Sequence, residues 1–102
     1  MEEIWEPIEG FNDAYEVSNL GRVMHEHPNS GNIREMKPQE NKGFSWVKLN
    51  DNGKRTNRSV HHIVARAFLD NPNGFTIVHH INGNTKDNRL ENLEYVKSKK
   101  RK

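Results

Sequence analysis

The sequence predicts an α+β fold: a small strand-rich first part, one helix, and a closing pair of strands. Three observations carry that expectation. Phe44-Ser45-Trp46-Val47-Lys48-Leu49 alternates apolar and polar residues, as a half-buried strand does, and the Asn50-Asp51-Asn52-Gly53 turn returns the chain into Lys54 to Val60, completing a hairpin. Ile63, Val64, Ala67 and Phe68 recur at helical spacing behind Ser59, a residue type that caps helix N-termini, so a helix is expected over Val60–Leu69. The β-branched run Thr76-Ile77-Val78-His79-His80-Ile81 and the later Leu93-Glu94-Tyr95-Val96 read as two strands joined across a polar loop.

The remaining segments follow in order. Residues 1–23 supply Trp5, Pro7, Ile8, Phe11, Tyr15, Val17, Leu20 and Val23 as core anchors. Glu16-Val17-Ser18 reads as a short strand and Asn19-Leu20-Gly21 as a turn. Residues 24–34 are polar, contain Pro28 and Gly31, and are expected to be loop. Asp70-Asn71-Pro72-Asn73-Gly74 ends the helix, and Asn82-Gly83-Asn84 forms a tight turn. Trp46, like Trp5, is read as a core anchor.

Composition narrows the function. The 102 residues contain no cysteine, which excludes a disulfide scaffold, a thiolate zinc site and a cysteine nucleophile. Mean hydropathy is −1.07, and no apolar run approaches the roughly 20 residues of a membrane-spanning helix. The acidic N-terminus lacks the pattern of a secretory signal, so the cytoplasm of a host cell is the expected location and no membrane the expected partner. With only 31% hydrophobic residues the core is thin, and a bound metal or partner would add stability. The net charge of +2 is unevenly placed. Lys97, Lys99, Lys100, Arg101 and Lys102 crowd the last six positions, whereas residues 1–20 hold Glu2, Glu3, Glu6, Glu9, Asp13 and Glu16 without one Lys or Arg. The body is therefore mildly acidic and the basic character sits in a tail.

Chemistry concentrates in residues 78–96, VHHINGNTKDNRLENLEYV. A neutral imidazole takes a proton from water near pH 7 or binds a metal, and an Asn side chain ligates a hard ion or orients a histidine. His79 and His80 are neighbours on a strand, so both face one ion only where the strand ends or bulges.

This stretch resembles the HNH endonuclease family, whose ββα-metal site is built from a hairpin and a helix around one divalent ion. The matching residues are His79, His80, Gly83-Asn84, Asp87-Asn88-Arg89 and Glu91-Asn92-Leu93-Glu94-Tyr95-Val96. Val60-His61-His62-Ile63-Val64-Ala65-Arg66-Ala67-Phe68 is similar to the helix that precedes the motif. Upstream, Glu3-Ile4-Trp5-Glu6-Pro7-Ile8, Gly10-Phe11 and Tyr15-Glu16-Val17-Ser18-Asn19-Leu20-Gly21-Arg22-Val23 resemble the NUMOD4 module of phage and intron nucleases, as do Met36-Lys37-Pro38 and Asn52-Gly53-Lys54. The resemblance implies a NUMOD4-like and hairpin module over 1–57 and an HNH-like module over 58–102. It implies that His80 is the general base, His79 a metal ligand and Asn92 the residue that fixes the His80 ring. The family's last metal-ligand position falls on Arg101, a permanent cation with no lone pair to give, and with the sequence closing at Lys102 a short or missing final helix is expected. His61, His62, His25 or His27, or a second copy of the chain, would have to complete the site.

Two functions follow as expectations. The first is a metal-dependent DNA endonuclease of phage or mobile-element origin, using Mg²⁺ or Mn²⁺, or a later transition metal that a histidine-rich site favours. The second is a catalytically inactive derivative that binds. Its partner would be DNA, through Lys97, Lys99, Lys100, Arg101 and Lys102, or a protein such as a host defence nuclease that it inhibits, through the acidic first twenty residues.

Overall fold

A computed structural model describes residues 2–11, 14–26, 30–51 and 53–97. Nine strands and one α-helix occur among them: β1 (Trp5–Pro7), β2 (Tyr15–Ser18), β3 (Val23–Glu26), β4 (Ile33–Met36), β5 (Gln39–Asn41), β6 (Phe44–Asp51), β7 (Lys54–Ser59), α1 (Val60–Phe68), β8 (Ile77–His80) and β9 (Leu93–Val96). They form three antiparallel sheets, β1-β2-β3-β4, β5-β6-β7 and β8-β9. The fold is α+β and strand-rich with one α-helix, as the sequence predicts. No helix among the described residues is long and apolar enough to cross a membrane.

One core serves all three sheets. Val17 and Val23 from the first sheet, Leu49 from the second, and Val60, Val64 and Ala65 from α1 are fully buried, and Val78 and Leu93 join them from the last hairpin. Tyr15 ties two sheets together, since its hydroxyl accepts a hydrogen bond from the Asn50 backbone N–H at 2.9 Å. On β6 the core face is Ser45, Val47 and Leu49, while Phe44 and Trp46 lie half-buried on the other face. Trp46 is thus no core anchor. Neither is Trp5, which is half-buried beside the Arg22 guanidinium at 5.5 Å, nor Pro7, which is exposed.

Residues 24–26 and 33–34 are strand where the sequence predicts loop; residues 27–29 lie outside the described residues. Val23–Glu26 pairs with Ile33–Met36 in antiparallel register, with Met24 opposite Glu35 and His25 opposite Arg34. The outer strand is nearly all exposed, so its order comes from backbone pairing and leaves no apolar alternation to read. The same holds for β5, whose three residues are exposed. Ser59 has the extended backbone of an N-cap, but its hydroxyl makes no capping bond and instead shares a 2.6 Å hydrogen bond with His62 Nδ1.

Candidate active site

The β8-β9 hairpin pairs Ile77 with Val96, Val78 with Tyr95, His79 with Glu94 and His80 with Leu93. Alternation along β8 turns Val78 and His80 inward and leaves Ile77 and His79 half-buried. The two histidines accordingly meet different partners. His80 donates from Nε2 to the Asn88 side-chain oxygen at 2.9 Å, a bond between two buried groups. Because that oxygen only accepts, the neutral ring carries its proton on Nε2, and Nδ1 keeps the lone pair. His79 donates from Nδ1 to Glu94 Oε2 at 2.7 Å. Both residues border one cleft of about 330 Å³, lined also by Phe44, Val78, Val96, Gly83 and Thr85.

Asn92 does something other than fix the His80 ring. Its side-chain oxygen accepts from the Asn82 N–H at 2.9 Å, and its amide donates to the Asn82 side-chain oxygen at 3.0 Å and the Asp87 carbonyl at 2.9 Å. It closes the 81–92 loop on itself, and Asn88 is the amide that holds His80. Asn92 sits in a short 3₁₀ turn of residues 90–92, at the base of the loop, where orphan backbone groups need partners.

The loop is braced on two sides by the first half of the chain. Asn88 packs against Gly21, where an added Cβ would come within 3.0 Å of the Asn88 carbonyl oxygen, and Gly21 has φ +86°. The Leu90 N–H donates to the Asn19 carbonyl at 2.8 Å. On the other side the Thr85 hydroxyl donates to the Gly43 carbonyl, and Lys86 pairs with Glu40 at 3.1 Å. Arg89 grips both Asp87 oxygens at 2.8 Å and reaches Glu91 at 2.8 Å. Hydrogen bonding from Arg89 holds the Asp87 carboxyl down at about 2, so it stays ionised and serves the loop.

Three imidazoles gather beneath the cleft. The His61 ring lies 4.8 Å from His80 and 4.4 Å from His62, with Phe44 at 5.4 Å. His61 is buried, and its Nδ1 has no hydrogen-bond partner. Burial, and then the neighbouring His62 and His80, push it down to about 4, so it is a neutral packing group at pH 7. His25 stacks on Tyr15 at 4.6 Å, in the first sheet. His27, Lys99, Lys100, Arg101 and Lys102 lie outside the described residues; Lys97 is exposed just past β9.

His79 is a single candidate donor, which by itself does not make a site for a divalent ion. The carboxylate behind Nδ1 leaves Nε2 as the free lone pair of a side chain that is 34% exposed, which is how metal-bound histidines are commonly backed. Among the described residues no group of three His, Asp or Glu is arranged to hold a metal, so His61 and His62 do not complete the site. Sequence reasoning missed Asn88 and Glu94 as partners of the two histidines. The strand register would have revealed Glu94; no sequence signal places Asn88.

Residues 3–79 match the NUMOD4 motif family and residues 58–101 the HNH endonuclease family. Two uncharacterized HNH endonucleases of Acanthamoeba polyphaga mimivirus are 36% and 41% identical over 85% and 92% of this chain, which spans 25% and 24% of their lengths. DNA endonuclease I-HmuI of Bacillus phage SP01 is 30% identical over 93% of this chain, which spans 53% of it. A solved structure of the HNH homing endonuclease I-HmuI, described for its DNA binding and cleavage, has a TM-score of 0.79 at 35% identity, covering 94% of this chain and 52% of that one. The chain thus spans from a quarter to about half the length of these relatives.

Proposed function

Because the chain belongs to the HNH endonuclease family and carries a NUMOD4 motif, we propose that it is a DNA endonuclease module that hydrolyses a phosphodiester bond. The observation that carries this reading is His80 at the cleft, its ring held by Asn88 with Nδ1 left as a base. His80 takes the proton of the attacking water at Nδ1, and its fixed Nε2–H bond prevents the ring from turning away. His79, backed by Glu94, is the ligand offered to a divalent ion. Such an ion, Mg²⁺, Mn²⁺ or a later transition metal, supplies charge neutralisation at the phosphate and the leaving oxygen. Phe44 and Val96 line the cleft, and Lys97 with the basic residues after it contacts DNA phosphates. The similarity to viral and phage nucleases supports a viral or mobile-element origin.

One observation favours a second reading. Among the described residues no third donor joins His79 and Glu94, and Arg101 stands at the family's last ligand position. A chain that has lost its ion would act as a binding protein, taking DNA through its basic C-terminal residues, or a basic face of another nuclease against its exposed Glu2, Glu6, Glu9 and Glu16. A supercoiled-plasmid assay with Mg²⁺, Mn²⁺, Ni²⁺ and Zn²⁺ decides between them. Metal-dependent nicking is the expected result; no nicking by folded protein with any of the four would leave the binding reading.

A further inference from the structure

We propose that Lys42, at the tip of the β5-β6 hairpin, is a DNA-contacting residue that sets its ammonium against a backbone phosphate at the rim of the His80 cleft. The inference rests on the endonuclease reading above and goes beyond it by assigning a substrate contact to the first half of the chain.

The backbone singles this residue out. Asn41 pairs with Phe44, so Lys42 and Gly43 form a two-residue hairpin loop. The favoured turn for such a loop needs left-handed backbone at both positions, and here φ is +55° at Lys42 and +83° at Gly43. Among the described residues Lys42 is the one non-glycine with a positive φ. A side chain in that conformation crowds its Cβ against the following carbonyl oxygen, a strain that glycine lacks and asparagine tolerates. The same sequence carries the favoured pair, Asn52-Gly53, between β6 and β7, at the opposite end of β6. Lysine therefore gives up turn stability at one end of the strand only, and strain of this kind collects where a side chain serves a function.

That end is the one at the cleft. Phe44, the first residue after the loop, borders the cleft together with Thr85, and the Thr85 hydroxyl donates to the Gly43 carbonyl. The 3.1 Å pair between Lys86 and Glu40 fixes the hairpin from its other strand. The tip is thus held on the loop that carries Asn88, while Lys42 itself is exposed. Lys86 is occupied by Glu40, whereas no carboxylate among the described residues pairs with Lys42. An exposed ammonium on a flexible stem, set on a fixed backbone beside a cleft that receives a phosphodiester, suits a phosphate oxygen.

The test compares the parent chain with Lys42→Asn and Lys42→Arg, by urea unfolding and by binding to a fluorescent mixed-sequence DNA duplex over a range of salt. Lys42→Asn removes the charge and relieves the turn; Lys42→Arg keeps both the charge and the strain. The expected effects of Lys42→Asn have opposite signs. Its urea midpoint rises, while its DNA affinity falls several-fold at physiological salt and the slope of log affinity against log salt shrinks by about one. Nicking at subsaturating plasmid falls in parallel. Lys42→Arg keeps the parent's affinity and slope. Parent affinity and slope in Lys42→Asn would overturn the proposal and leave the endonuclease reading standing on the nicking activity. A lower midpoint in Lys42→Asn, or equal affinity losses in Lys42→Asn and Lys42→Arg, would trace the effect to the shape of the turn instead of its charge and overturn it too. A parent chain that binds no DNA would overturn both readings. Binding with the expected Lys42 dependence, but no nicking with any metal, would sink the endonuclease reading alone.

Discussion

Asn88 hydrogen-bonds the His80 ring and the His61 ring packs 4.8 Å from it, and each makes a distinct demand on it. Removing the Asn88 amide leaves the buried Nε2–H of His80 without an acceptor, at a cost of about 1–3 kcal/mol. Asn88→Ala should therefore lower the urea midpoint and cut the nicking rate at least tenfold, with DNA affinity little changed; an unaltered rate would mean that the ring needs no such anchor. His61 is kept neutral by burial, so between pH 6.5 and about 4 the unfolded chain binds a proton that the native state refuses. Its contribution to stability is complete above pH 6.5 and drains away as pH falls toward 4. His61→Phe, which keeps the contact with Phe44, should flatten that part of the urea midpoint against pH and leave stability at pH 7 equal or higher, since an unpartnered Nδ1 is removed. At this scale the motif made His79 and His80 legible in the sequence. Asn88 and Glu94 were not, because their partnerships depend on a loop path and a strand register that spacing does not encode.

Among the elements, the turn after β2 has the most direct hold on the site. Gly21 adopts φ +86° and lies where a Cβ would press on the Asn88 backbone at 3.0–3.1 Å. A Gly21→Ala substitution meets both the left-handed backbone and that contact, and should destabilise by more than about 1 kcal/mol. Displacement of Asn88 should also slow nicking, which a purely structural turn would not require; measuring both rate and midpoint separates the two. β6 and α1, which show apolar periodicity, β7, which the Asn50–Gly53 turn returns onto β6, and the β-branched or apolar β8 and β9 were legible in the sequence. The exposed β4 and β5 were not, because a solvated strand is ordered by its neighbour's backbone and carries no apolar face. The phase of β6 was also hidden. Ser45, Val47 and Leu49 face the core, although Phe44 and Trp46 are the bulkier residues.

Across the whole molecule, one core joins both family motifs. Val17 and Val23, from the first sheet, are fully buried in the same cluster as Val64 and Leu93. The loop that carries Asn88 rests on the Asn19–Gly21 turn on one side and on Gly43 and Glu40 on the other. The cleft geometry is thus a property of the entire chain, and it concentrates the proposed chemistry on a single base. The most direct measurement is the single-turnover nicking rate of a supercoiled plasmid under saturating Mn²⁺ or Ni²⁺, for the parent chain and His80→Ala, with DNA affinity measured in parallel. Loss of nicking by 100-fold or more with DNA affinity intact is the expected result, in line with the 10²–10⁴-fold worth of a positioned base. Equal rates in the two proteins would contradict the assignment of His80 as the base.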